Sequence, residues 1–220
     1  MVKKLYTESS IENIAAAIRA KNHTNNTYKV SQMASAIQAL PEPPVIPVGT
    51  KFRGSTGDLA TFLNECDLSA TATQTDFSYM FSECTALTTV PLFSMESATV
   101  CNYMFNGCTS LTSVPLLDTS HVTDPGAMFN GCRSLVDLPQ LDFSSATVFG
   151  TVLNMHKIFY GCTSLSNASL NNILASMAGA TAYTGTKTLK FLGLTSDQAT
   201  ICTGLSNYTA FTNAGWSTGY

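Results

Sequence analysis

Met80-Phe81-Ser82-Glu83-Cys84-Thr85-Ala86-Leu87 returns as Met104-Phe105-Asn106-Gly107-Cys108-Thr109-Ser110-Leu111 and again as Met128-Phe129-Asn130-Gly131-Cys132-Arg133-Ser134-Leu135. A fourth copy reads Ile158-Phe159-Tyr160-Gly161-Cys162-Thr163-Ser164-Leu165. Their cysteines are 24, 24 and 30 residues apart. An internal period of about 20–50 residues is the mark of a repeat architecture, in which no single unit buries its apolar face and stacking supplies the core.

The residues after each cysteine suggest how a unit is built. Leu87, Val90 and Leu92, then Leu111, Val114 and Leu116, occupy positions one, four and six of an LxxLxL frame. In leucine-rich repeats that frame is one short strand with its apolar side chains turned inward. The third copy keeps Leu135 and Leu138 but has Gln140 at position six and Leu141 one place later, and Leu165, Ala168 and Leu170 form a weaker fourth copy. Pro91, Pro115 and Pro139 follow position four, so a strand should stop there, since proline donates nothing to a ladder. The expected fold is therefore α/β: a short leucine-rich-repeat solenoid of about four coils, with an N-terminal helical hairpin and a C-terminal α/β cap.

Seven cysteines cannot all pair within one chain, and there is no CxxC and no Cys/His pair at zinc spacing. A cysteine recurring at one place in every unit reads as a ladder of buried free thiols, with disulfides or a metal as the alternatives. Asn-Gly at 106–107 and at 130–131 fits a tight turn between the aromatic residue and the cysteine.

The repeats, with Leu117-Asp118-Thr119-Ser120 and Leu141-Asp142-Phe143-Ser144 behind them, resemble the leucine-rich repeats of the BspA-type surface-protein family. That resemblance covers about half the chain and implies an adhesin or surface binder; it does not specify a ligand.

Charged residues make up 11% of the chain and the net charge is −3. Nucleic-acid binding usually needs a basic patch or stripe, which this composition lacks. At 45% apolar residues the chain can support a core. The Met-Val-Lys-Lys start is not followed by an apolar run, so no signal peptide is expected, and no stretch is apolar enough for a membrane span.

Five segments are expected. Residues 1–40 read as a helical hairpin anchor, with Ile11, Ile14 and Ile18 on one helix and Met33, Ile37 and Leu40 on the other as anchoring or oligomerisation residues. Residues 41–48 are a proline-rich linker, 49–75 an N-terminal cap, 76–170 the repeats and 171–220 the C-terminal cap. In the last segment Ser169 is placed to cap a helix bearing Leu170, Ile173, Leu174 and Met177 up to Gly179. A strand is expected from Thr188 to Phe191, a short helix behind a capping box from Thr195 to Gln198 and another from Ser206 to Phe211. Trp216 is expected in the cap that seals the last coil or, as the alternative, stacking on a ligand. The segment "IENIAAAIRAKNHTNNTYKVSQMASAIQAL" is similar to N-terminal segments of phage and prophage structural proteins of Gram-positive hosts.

No GxSxG, HExxH, Walker-type loop or GxGxxG is present. His23, His121 and His156 are expected at the surface, and Asp118 and Asp142, in one repeat phase, to stabilise turns rather than to form a carboxylate pair or calcium site. The six extra residues between Cys132 and Cys162 should loop out around Val148 to Lys157.

The functional expectation is a non-enzymatic phage or prophage virion structural protein displaying a binding module, as a tail fibre or tail-tip adhesin or a capsid decoration. The alternative is a bacterial cell-surface adhesin or protein-interaction module. The expected ligand face is Thr88, Thr89, Thr112, Ser113, Val136, Asp137, Ser166 and Asn167, with no catalytic residue, metal or cofactor. Expected partners are other virion proteins through the hairpin, a host surface glycan or protein, and further copies of the chain; nucleic acid and membrane are not expected.

Overall fold

The structure is a computed structural model, and it describes residues 43–149, 158–185, 187–190 and 196–219. The chain divides into two units, Met1–Glu42 and Pro43–Tyr220, and all the described residues lie in the second. Ile11, Ile14, Ile18, Met33, Ile37 and Leu40 lie outside them.

Each repeat is a chain of tight turns. The N–H groups of Met80, Cys84 and Leu87 donate to the carbonyls of Phe77, Phe81 and Cys84, each three residues back. The N–H groups between them reach the next repeat: Phe77 to Val100, Tyr79 to Asn102, Phe81 to Met104 and Glu83 to Asn106, at 2.6–3.1 Å. The set recurs with Cys101, Tyr103, Phe105 and Gly107 donating to Asp124, Gly126, Met128 and Asn130. Phe129 and Gly131 then donate to Ile158 and Tyr160, so the fourth copy keeps register despite its longer spacing.

This arrangement corrects the expected fold class. Among the described residues no strand runs through the repeats; they carry only isolated bridges, such as Asp76 with Val100, Val100 with Asp124 and Ser113 with Asp137. An α/β leucine-rich-repeat solenoid with a strand in each coil is therefore not what the chain forms. The physical reason is in the backbone. Tyr79 and Glu83 (φ 57° and 64°), Tyr103 and Gly107 (56° and 74°), and Ala127 and Gly131 (53° and 79°) all sit in the left-handed region. Two such residues four apart in each unit interrupt the extended conformation that a strand requires.

The apolar frame is corrected too. Positions one and four are buried in the first three copies, but Leu92 and Leu116 at position six are 70% and 66% exposed. The buried residues are Phe93, Leu117 and Leu141, at position seven. The third copy, with Gln140 outside and Leu141 inside, is the regular one. One buried residue in every three, with proline between, matches the three-residue period of polyproline II rather than the two of a strand.

Inside, Phe52, Phe81, Phe105, Phe129 and Phe159 stack face to face, their ring centroids 5.6, 5.3, 5.4 and 5.9 Å apart. Such offset stacks add about 0.5–1.5 kcal/mol per pair beyond area burial. Phe52 shows that residues 51–55 act as a degenerate first copy: its N–H and that of Gly54 donate to the carbonyls of Met80 and Ser82. Helix α1 (Leu59–Asn64) follows, capped by the Asp58 carboxylate, which accepts from the Thr61 N–H at 3.0 Å. Leu59 and Leu63 on α1 are buried in the core.

Helix α2 (Asn167–Ala178) takes the place of a fourth LxxLxL segment. Its cap is Ser166, whose side chain accepts from the Ser169 N–H, so the helix begins three residues before the start expected from Ser169. It buries Leu170, Ile173, Leu174 and Met177. Beyond it come β1 (Thr188–Lys190), α3 (Ser196–Thr203), α4 (Tyr208–Asn213) and β2 (Ser217–Gly219). The two strands pair in parallel, and α2 packs against α3 and α4. Trp216 is buried with Phe149 across its ring at 5.8 Å and Tyr183 stacked at 5.7 Å. Of the expected looped-out segment, Val148 is exposed and Phe149 buried, and residues 150–157 lie outside the described ones.

Candidate functional site

The expected ligand face divides into two adjacent tracks. Along the first, the Thr112 N–H donates to the Thr88 carbonyl, the Val136 N–H to the Thr112 carbonyl and the Ser166 N–H to the Val136 carbonyl, at 2.9–3.1 Å. The Thr112 hydroxyl donates to the Thr88 carbonyl as well, at 3.1 Å. Thr88, Thr112 and Val136 are exposed and Ser166 is half-buried. Along the second track Thr89 and Asp137 are exposed and Ser113 is half-buried, with Ser113 bridged to Asp137. Asn167 is exposed but starts α2, and Ser166 spends its hydroxyl on the cap, so these two close the face and do not continue it.

The closure is more extensive than the sequence suggests. On α2, the buried Ser169 hydroxyl donates to the Val136 carbonyl and accepts from the Leu138 N–H, both at 2.8 Å. The Asn172 amide donates to the Leu138 carbonyl at 2.9 Å, and the Ser176 hydroxyl accepts from the Leu141 N–H at 2.9 Å. A polar stripe at 169, 172 and 176 on a helix that buries its apolar residues is the signal that marks this cap.

A second row escaped the sequence reading although its spacing is regular. Thr75, Thr99, Thr123 and Thr147 are exposed at 24-residue steps, and the N–H groups of the last three each donate to the carbonyl of the threonine before, at 2.8–3.0 Å. The Thr99 and Thr123 hydroxyls donate to those same carbonyls. Tyr79 and Tyr103 form a further outer pair, stacked at 4.9 Å, with the Arg53 guanidinium 5.4 Å from the Tyr79 ring centre.

The carboxylates stabilise turns. Asp118 accepts from the Ser120 N–H and hydroxyl, and Asp142 from the Ser144 N–H. The Ser120 hydroxyl and N–H hold the Asp118 carboxyl below its ordinary range. His121 is exposed beside the Ser120 hydroxyl at 3.1 Å, while His23 and His156 lie outside the described residues. Among the described residues no three of His, Cys, Asp and Glu come together to hold a metal ion, and no helix is long and apolar enough to cross a membrane.

The cysteines are explained by the repeat. The thiols of Cys84, Cys108, Cys132 and Cys162 donate to the carbonyls of Phe52, Phe81, Phe105 and Phe129, one copy earlier, at 3.0–3.1 Å. All seven cysteines are free. Burial pushes the Cys108 and Cys162 thiols up to about 12 and that of Cys202 up to about 11. A thiol is small enough for the core and still supplies a weak donor to a carbonyl with a spare lone pair.

These features define a turn-built repeat protein with regular polar rows outside and phenylalanine and thiol ladders inside. Residues 75–184 match the family described as "Mycoplasma protein of unknown function, DUF285", and the chain belongs to that family. The match agrees with the BspA-type part of the resemblance carried by the repeats. No curated protein and no solved structure matches the chain.

Proposed function

We propose that the protein is a non-enzymatic binding module, carried on a phage or prophage virion as a tail fibre, tail-tip adhesin or capsid decoration. The supporting observation is the outer track of Thr88, Thr112 and Val136, which offers similar small groups at each hydrogen-bonded step. A periodic surface of this kind suits a polymeric ligand such as a host glycan, where several weak contacts add through avidity. In this reading residues 1–40 attach the chain to other virion proteins and to copies of itself.

Antibody labelling of virions under negative stain tests the reading. Label on head or tail supports it, and its absence from every particle rejects it. A bacterial cell-surface adhesin is the second reading, and the family match favours it because BspA-like relatives are surface proteins. Label on the producing cell instead of the particle selects that alternative. Turnover of host-wall polysaccharide by the purified chain rejects the non-enzymatic part of both.

A further inference from the structure

The two ends of the Thr88 track differ. At the far end α2 satisfies the backbone of Val136, Leu138 and Leu141 with Ser169, Asn172 and Ser176. At the near end the Thr88 N–H, whose counterparts on Thr112 and Val136 donate to the preceding copy, has no partner among the described residues. The degenerate copy at 51–55 continues the phenylalanine stack and bonds to Asp76, Met80, Ser82, Glu83 and Cys84, but among the described residues none of its hydrogen bonds reaches Thr88. That N–H is free to donate to a carbonyl of another extended chain, as Thr112 and Val136 donate to the copy before them.

Four residues on from Thr88, Leu92 begins the lining of a groove of about 430 Å³ formed by Leu92, Phe93, Ser94, Met95, Glu96, Leu116 and Asp118. Phe93 and Met95 are buried, whereas Leu92 and Leu116 stand out from the surface and are not needed by the core. Both carboxylates of the groove are exposed. They belong to an acidic surface: residues 75–149 hold seven carboxylates and a single arginine, Arg133.

We propose that this groove and the open Thr88 end form a docking site for an extended polypeptide segment that carries apolar side chains between lysines or arginines. A carbonyl of the segment accepts from the Thr88 N–H, an apolar side chain seats between Leu92 and Leu116, and basic side chains face Glu96 and Asp118. Electrostatic complementarity selects the basic partner, and the two leucines supply the desolvated contact. The site shares Thr88 with the proposed glycan face, but its apolar and acidic contacts at Leu92, Leu116, Glu96 and Asp118 lie outside that face and do not depend on what it binds.

The test uses the full chain and three labelled twelve-residue probes: alternating Leu-Lys, alternating Leu-Glu and alternating Ser-Lys. Fluorescence anisotropy should give saturable binding of the Leu-Lys probe, with the other two at least about ten-fold weaker. The L92S/L116S variant should lose about ten-fold or more, and E96Q/D118N should lose affinity together with most of its salt dependence. E65Q, at an exposed carboxylate outside the groove, should bind as the parent does. Equal binding of all three probes, or unchanged binding by L92S/L116S, overturns the proposal. Self-association that L92S/L116S abolishes, without probe binding, also overturns it by making a second copy the occupant.

Discussion

The Cys108 thiol donates to the backbone carbonyl of Phe81, 27 residues earlier, at 3.0 Å. Only the thiolate is nucleophilic, and burial, with Cys84 nearby, pushes the Cys108 thiol up to about 12. Cys66 is the one half-buried cysteine of the seven. Burial and the Glu65 charge also hold the Cys66 thiol above its ordinary value. At neutral pH one thiol per folded chain should therefore react slowly, but ahead of the other six, with a disulfide reagent, and all seven should react after denaturation. The early phase should vanish in C66S. Several early thiols would mean that the ladder is open in solution.

Stacked glycines give a second prediction. Gly131 lies at φ 79°, and a methyl group there would meet the Gly107 backbone at an ordinary 3.6 Å, so the cost of an alanine is conformational rather than steric. Gly131→Ala should destabilise by about 1–2 kcal/mol. Gly57 has open space and no left-handed backbone, so Gly57→Ala should be neutral or stabilising by up to about 1 kcal/mol. Denaturant midpoints of the two variants check the contrast. Equal shifts would contradict the left-handed turn.

Leu116 and Leu117 are neighbours of the same type on opposite sides of the surface. Leu117→Ala should cost about 2–5 kcal/mol, and Leu116→Ser should stay within about 0.5 kcal/mol. The reverse order would restore the LxxLxL frame and remove the basis for the exposed leucine pair.

Acid should weaken the fold in a defined window. Ser120 holds the Asp118 carboxyl below its ordinary value, and the N–H groups of Thr61 and Ser69 do the same for Asp58 and Asp67. The folded chain therefore binds fewer protons than the unfolded chain near pH ~4, so these groups stabilise it above that value. Their contribution is lost as pH falls through the depressed folded values. Asp58 and Asp118 are exposed and Asp67 is half-buried at the surface, so each effect is small. Melting temperature should fall between about pH 5 and pH 3, and D118N, which keeps an accepting oxygen but does not titrate, should show a shallower fall.

The period was legible because the same burial demand recurs at every Phe and Cys. The frame was harder to read, since Leu92-Phe93 and Leu116-Leu117 are apolar at both positions six and seven, and only Gln140-Leu141 separates inside from outside. The strand expectation failed for a related reason. Tyr79, Tyr103 and Ala127 adopt positive φ without being glycine or asparagine, the residues that announce it. Of the expected ligand face, the exposure of the tracks through Thr88 and Thr89 was legible from their phase. Its closure by α2 was not, because a serine at 169 reads as a cap until its bonds to Val136 and Leu138 are seen.

The outer track carries the functional account, and one measurement tests it most directly. The full chain, labelled through Cys66, is titrated onto intact Gram-positive cells and onto their purified wall polysaccharide, beside a T89E/V136E variant. Both substituted residues are exposed, so the variant should melt with the parent. Saturable binding by the parent and its loss in the variant is the predicted result. Equal binding by the two proteins, or no binding by either, would contradict a ligand face built on these repeats.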